Sequence, residues 1–213
     1  MFSVIFDMDG TLLDTQKICL PAWEYGGNKQ GITGVGNLIY KVCGMNENGW
    51  TNCLLENFPQ IDTVQFKKDA REYISKNGKL ALKKGAKELL DFLKENNIKI
   101  GLASGSSITT IERHLKEVNV RDYFDAIAGG LEVENGKPAP DVFLLAAKRL
   151  GADPWDCYVF EDSANGILAG HSAGMKCIGV PDIVDFESSV KELMTAEFTS
   201  LDEAIPLFKK LVE

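Results

Sequence analysis

Two aspartates spaced two apart, Asp7 and Asp9, close the first apolar run of the chain, in the stretch Phe6-Asp7-Met8-Asp9-Gly10-Thr11. Residues 2–6 read as a short buried strand and Gly10 as its break. In extended backbone, alternate side chains leave on one face, so both carboxylates depart from the strand end together. Like charges held that close repel unless a cation lies between them or one carboxyl keeps its proton. The pair suits a Mg²⁺ site, a nucleophile with a partner acid, or both. A solvated acidic turn is the competing reading, and the spacing alone does not separate them.

Three further polar clusters follow apolar runs. Ser104-Gly105-Ser106-Ser107 follows IKIGLA, Gly136-Lys137-Pro138 comes shortly after a third run, and Glu161-Asp162-Ser163 directly follows CYVF. The serines suit a helix cap, and the same geometry offers backbone N–H groups and a helix N-terminus to an anion. Lys137, between a glycine and a proline, sits on a stiffened turn, which favours a fixed cation over a solvated one. Glu161 and Asp162 read either as an exposed turn or as oxygen ligands for Mg²⁺ opposite the first two acids. Rival motifs fail. An EF-hand loop from Asp7 would place Thr11, Leu12 and Ile18 where an acid or amide, a glycine and a glutamate belong. A phosphate loop ending at Gly136-Lys137 has Pro138 for its Ser or Thr and Leu131 for its first Gly. Gly31, Gly34 and Gly36 carry the dinucleotide spacing reversed, after no strand.

These residues need elements to hold them. Residues 15–79 contain no convincing strand; helical patterns cover 16–26, 37–42, 47–58 and 63–77, with Asp62 as an N-cap. From residue 80 the pattern alternates: helices at 86–96, 108–118, 141–150, 164–173 and 201–211, strands at 98–103, 126–128, 157–160 and 176–180. Strands alternating with helices predict an α/β fold, a doubly wound parallel sheet with helices on both faces, into which a small helical bundle is inserted after the first strand. In such sheets ligands bind outside the carboxyl ends of the strands, near the reversal of strand order. All the polar clusters fall at strand ends, a coincidence stronger than any one of them.

Composition narrows the chemistry. The 213 residues are 45% hydrophobic and 25% charged, which is globular, and the net charge of −8 argues against nucleic acid as a partner. No run approaches a membrane span, and the first residues lack a signal peptide's basic start and apolar core. The five cysteines are scattered with no CxxC pair, as expected of reduced thiols in a cytoplasmic protein. Only two histidines occur, His114 and His171, in helical patterns without metal-ligand spacing, and both are read as structural or surface residues. Zinc hydrolysis and Ser-His-Asp chemistry are therefore disfavoured, and the work falls to carboxylates.

DMDGTLLDT, LASGSS, GKPAPD and FEDSANGI, in that order across nearly the whole chain, resemble the haloacid dehalogenase superfamily. The helical segment 15–79 resembles the small cap of its beta-phosphoglucomutase-like branch of phosphatases and mutases. The resemblance implies a Rossmann-like core of residues 1–14 and 80–213, a cap of residues 15–79 hinged near 14–15 and 80–83, and Mg²⁺ as cofactor. It implies Asp7 as nucleophile, forming an aspartyl-phosphate, and Asp9 as the acid and then the base. Ser104, Gly105, Ser106 and Lys137 match the phosphate-holding positions. Asp162 matches a metal ligand beside the Asp7 carboxylate and the Asp9 carbonyl, and Glu161 a ligand directly or through water. The substrate expected is a small phosphorylated metabolite. Two departures favour a phosphatase over a mutase: Cys19 stands where mutases carry a histidine on the first cap helix, and residues 31–37 lack the basic character of the loop that grips a second phosphate. Lys41, Asn46 and Asn48 are the cap residues expected to set specificity.

Overall fold

The computed structural model describes residues 2–212. Strands β1 (Ser3–Phe6), β2 (Lys99–Ser104), β3 (Ala126–Gly129), β4 (Cys157–Glu161), β5 (Lys176–Gly179) and β6 (Met194–Glu197) form one sheet, ordered β3-β2-β1-β4-β5-β6. Every neighbouring pair is parallel. The helices are α1 (Gln16–Asn28), α2 (Ile39–Val42), α3 (Glu47–Asn57), α4 (Thr63–Asn77), α5 (Ala86–Glu95), α6 (Ile108–Glu117), α7 (Asp141–Leu150), α8 (Ala164–Ser172), α9 (Ser188–Lys191) and α10 (Ile205–Val212). The chain runs outward from β1 to β3, then returns to pair β4 on the other side of β1. The reversal of strand order therefore lies between β1 and β4, the place where doubly wound sheets bind ligands.

The central strands are apolar between their ends because both of their faces are covered. Alternate residues of β1 serve opposite layers. Val4 and Phe6 join a cluster with Leu89, Leu93, Ile111 and Phe208, whereas Ile5 joins Phe143, Val159 and Ala169. Phe6 and Phe160 stack across the β1–β4 pair with centroids 5.0 Å apart, which locks the two strands whose ends carry the acids.

Helices α1–α4 lie outside the sheet and build an apolar cluster of their own around Trp23, Val35, Leu54 and Phe66. The Asp62 carboxylate caps α4, accepting from the N–H groups of Val64 and Gln65. The two chain crossings into this helical segment run side by side: the N–H of Asp14 donates to Ala81 O, and that of Lys83 to Leu12 O, each at 2.9 Å. The pattern expected at 37–42 resolves into a 3-10 turn, Val35–Leu38, followed by α2, and that at 201–211 into Leu201–Ala204 followed by α10. Strand β6 was not expected. It is a short edge strand whose residues alternate between half-buried and exposed, and Thr195-Ala196-Glu197 carries no apolar run. No helix of the described residues is long and apolar enough to cross a membrane.

Candidate active site

The site is built from four strand ends. β1 delivers Asp7, whose N–H continues the ladder to Phe160 O at 3.0 Å. At Gly10 the chain turns with φ of +89°, a conformation that favours glycine, and a Cβ there would collide with Asp162 and Gln16. The turn closes through N–H groups of Leu12 and Leu13 on Met8 O and leaves Asp9 half-buried. β4 delivers Glu161 and Asp162, and Ser163 caps α8 by accepting from Gly166 N. Ser107 caps α6.

Lys137 is the buried cation that joins these ends. Its Nζ lies 2.5 Å from Asp7 Oδ1, 2.6 Å from Glu161 Oε1 and 3.5 Å from Ala103 O, and 4.6 Å from the Phe143 ring centroid. The other Glu161 oxygen accepts from Asp162 N, Ser163 N and Ser163 Oγ. Asp162 is held by Thr11 Oγ1 at 2.8 Å and by Gln16 Nε2 at 2.6 Å. The Asp9 carboxylate turns toward the serine loop, where Ser106 Oγ donates at 3.2 Å and Ser104 Oγ at 3.5 Å. Asp7, Glu161 and Asp162 each place an oxygen within 4.8 Å of the others. All four sequence-predicted clusters thus meet at one place. A family model described as haloacid dehalogenase-like hydrolase matches residues 3–174. The chain belongs to the haloacid dehalogenase-like hydrolases.

Within this family it falls in the beta-phosphoglucomutase-like branch. It is 31% identical to the phosphorylated carbohydrates phosphatase of Thermotoga maritima over all of both chains. It is 34% identical to the beta-phosphoglucomutase of Bacillus subtilis over 84% of this chain and 83% of that one. The crystal structure of beta-phosphoglucomutase from Clostridium difficile matches with a TM-score of 0.81 at 27% identity, covering all of this chain and 96% of the other.

The electrostatics of the hydrolase fit a hard cation. Burial pushes the Asp7 carboxyl up to about 7, with the charges of Glu161 and Asp9 adding to it against the pull of Lys137. Burial, Glu161 and Asp7 likewise raise Asp162 well above the carboxylate range. Burial disfavours the Lys137 ammonium, yet Asp7 and Glu161 outweigh it and hold its pKa above the ordinary lysine value. One buried ammonium therefore faces more carboxylate than it neutralises, and an oxygen-only donor set of this kind is what a small divalent cation binds. The Asp9 carbonyl faces the same Gln16 amide as Asp162, at 3.4 Å.

A cavity of about 840 Å³ opens over these groups, lined by Asp7, Asp9 and the serine loop on one side and by α1–α4 on the other. Of the expected specificity residues, Lys41 in α2 and Asn48 in α3 are exposed and line no part of it. Asn46 is buried, accepts from Gly49 N as the cap of α3, and sits against Gly105 and Gly136. The walls instead include Trp23, Trp50, Arg71, Arg113 and His114. Gln16 also went unpredicted. Its only signal was its place as first residue of the helix after the acidic turn, and its oxygen accepts from Cys43 Sγ at 2.9 Å.

Proposed function

We propose that the protein is a Mg²⁺-dependent phosphatase that hydrolyses a small organic phosphate monoester through a phosphorylated Asp7, with residues 15–79 serving as a cap over a core of residues 1–14 and 80–213. The observation that carries this reading is the convergence of Asp7, Lys137, Glu161 and Asp162 in one buried cluster beside Asp9 and the serine loop.

In this reading the Asp7 carboxylate attacks phosphorus, the bond from phosphorus to the ester oxygen breaks, and Asp9 gives its proton to the departing oxygen. Water then attacks the phosphoryl group on Asp7, Asp9 takes the proton, and the Asp7–phosphorus bond breaks. Inorganic phosphate and the original carboxylate remain. Lys137 Nζ and the polar groups of Ser104, Gly105 and Ser106, at the start of α6, hold the phosphoryl oxygens. Asp7, the Asp9 carbonyl and Asp162 would hold Mg²⁺, with Glu161 orienting the set, since its oxygens are already engaged by Lys137 and three donors. When bound, the ion supplies neutralisation of phosphoryl charge that would otherwise repel a carboxylate nucleophile.

The relatives' names support a small phosphorylated metabolite as substrate, from phosphorylated carbohydrates to pseudouridine 5'-phosphate and FMN, and include both phosphatases and a mutase. Cys19 favours hydrolysis. A thiol carries no positive charge at any pH, so Cys19 offers no cation to restrain Asp9. The test is inorganic phosphate released from a panel of sugar phosphates, nucleotides and phosphorylated acids, with Mg²⁺ and with EDTA, alongside conversion of glucose 1-phosphate to the 6-phosphate. Free phosphate should dominate and vanish with EDTA; isomerised sugar phosphate outpacing it would replace phosphatase with mutase.

A further inference from the structure

The cavity exceeds what a phosphoryl group fills. Its volume of about 840 Å³ suits a whole small molecule. The wall supplied by α1–α4 carries an apolar patch of Ile18, Trp23, Ile39, Val42, Trp50 and Ile74. A planar apolar ring laid on that patch would lose water at no polar cost, whereas the polar groups of the wall, Gln16, Glu47, Arg71 and Ser75, lie around it. The two tryptophans pack with ring centroids 5.1 Å apart and planes tilted by 55°. Neither is free to move. Trp23, 8% exposed, meets Phe66 edge-on at 5.4 Å. Trp50 lies under the Lys67 ammonium at 4.8 Å, and Lys67 is tied to Glu47 at 2.9 Å. A pre-ordered aromatic pair binds a ring with little entropy left to lose.

We propose that Trp23 and Trp50 form an aromatic platform for the leaving group, and that the substrate is a phosphate monoester whose alcohol carries a planar or aromatic ring. The inference relies on the phosphatase reading for the phosphate end alone; the platform rests on the wall.

Phenylphosphonate and methylphosphonate share a head group, resist hydrolysis and differ only in the ring. Titrated with Mg²⁺ present and followed by tryptophan fluorescence, phenylphosphonate should bind on the order of 5–100-fold more tightly, the usual worth of stacking one ring on an aromatic side chain. It should change the emission of a Trp155→Phe protein, since Trp155 is 72% exposed and lines no part of the cavity. Trp50→Leu should narrow the preference to less than threefold and Trp50→Phe should keep most of it. Equal affinity for the two phosphonates in the unmodified protein would overturn the platform. So would tighter binding of glucose 6-phosphate than of phenyl phosphate to the Asp7→Asn protein. If phenylphosphonate binds as expected but no ester is hydrolysed, the platform stands and the phosphatase reading falls.

Discussion

Lys137 carries more of the site than any other single side chain. It is 4% exposed and touches two carboxylates that have no other cation near them among the described residues. Lys137→Met should cost about 3–5 kcal/mol in urea denaturation, because it strands buried charge; a loss under 1 kcal/mol would mean that the Lys137 ion pairs add nothing net to the fold. Asp7→Asn should abolish turnover, whereas Asp9→Asn should retain metal binding and lose on the order of 10²–10⁴-fold in rate, the usual worth of general acid–base catalysis. Thiols supply the pH prediction. Burial pushes Cys19, Cys43 and Cys177 up to about 12 and Cys157 to about 11, so thiolate is scarce at pH 8 and native protein should resist alkylation until unfolded. The raised values mean the folded chain holds these protons more tightly than the unfolded one. Their contribution is therefore full below about pH 9 and lost as pH rises toward 12. Rapid alkylation of Cys19 or Cys43 at pH 8, despite their place in the cavity wall, would show that the helical segment opens readily. The acids and Lys137 were legible in the sequence because each follows an apolar run or a stiff turn. Gln16 and Trp50 were not, since their roles depend on contacts that only the tertiary fold creates.

At the level of elements, the connection between α2 and α3 is pressed against three loops that follow strands of the sheet. A Cβ on Gly44 would strike Ser163, one on Gly105 would lie 2.9 Å from Met45 O, and one on Gly136 would strike Asn46. Asn165 Nδ2 donates to Cys43 O at 2.9 Å across the same boundary. Asn165→Ala should loosen the seating of the α2–α3 connection over the proposed site. One hydrogen bond at about 0.5–1.5 kcal/mol predicts a KM raised about 2–10-fold, with a thermal shift of a few degrees at most. Unchanged KM would separate this contact from substrate binding. The element pattern was readable where strands are buried on both faces and helices are strongly amphipathic. It was unreadable at β6, which is held by its pairing with β5 at the sheet edge and not by its own sequence, and at the exposed Lys41 and Asn48, whose polarity imitates a binding role.

Over the whole molecule, strand order places the reversal between β1 and β4, and that single topological fact brings residues 7 and 162 together. The doubly wound class followed from the alternation of strands and helices; the neighbour relations of the strands did not, because parallel sheets with the same alternation admit several orders. The proposed Mg²⁺ site, with its surplus of buried carboxylate, predicts a metal-linked stability. Mg²⁺ at about 100 times its Kd should add about 2.7 kcal/mol, a rise of roughly 5–10 °C in Tm for a chain of this size, and EDTA should remove it. A Tm indifferent to Mg²⁺ would move the metal elsewhere. The central claim is that the Asp7 carboxylate itself carries the phosphoryl group. In Asp9→Asn protein, mixed with Mg²⁺ and 4-nitrophenyl phosphate and quenched in acid, the second step is slowed and the good leaving group spares the first. Peptide mass spectrometry should then find one phosphoryl group on the peptide containing Asp7 and none when Asp7 is also Asn. A phosphoryl group on any other residue, or nitrophenol release with none on the protein at any time, would contradict the account.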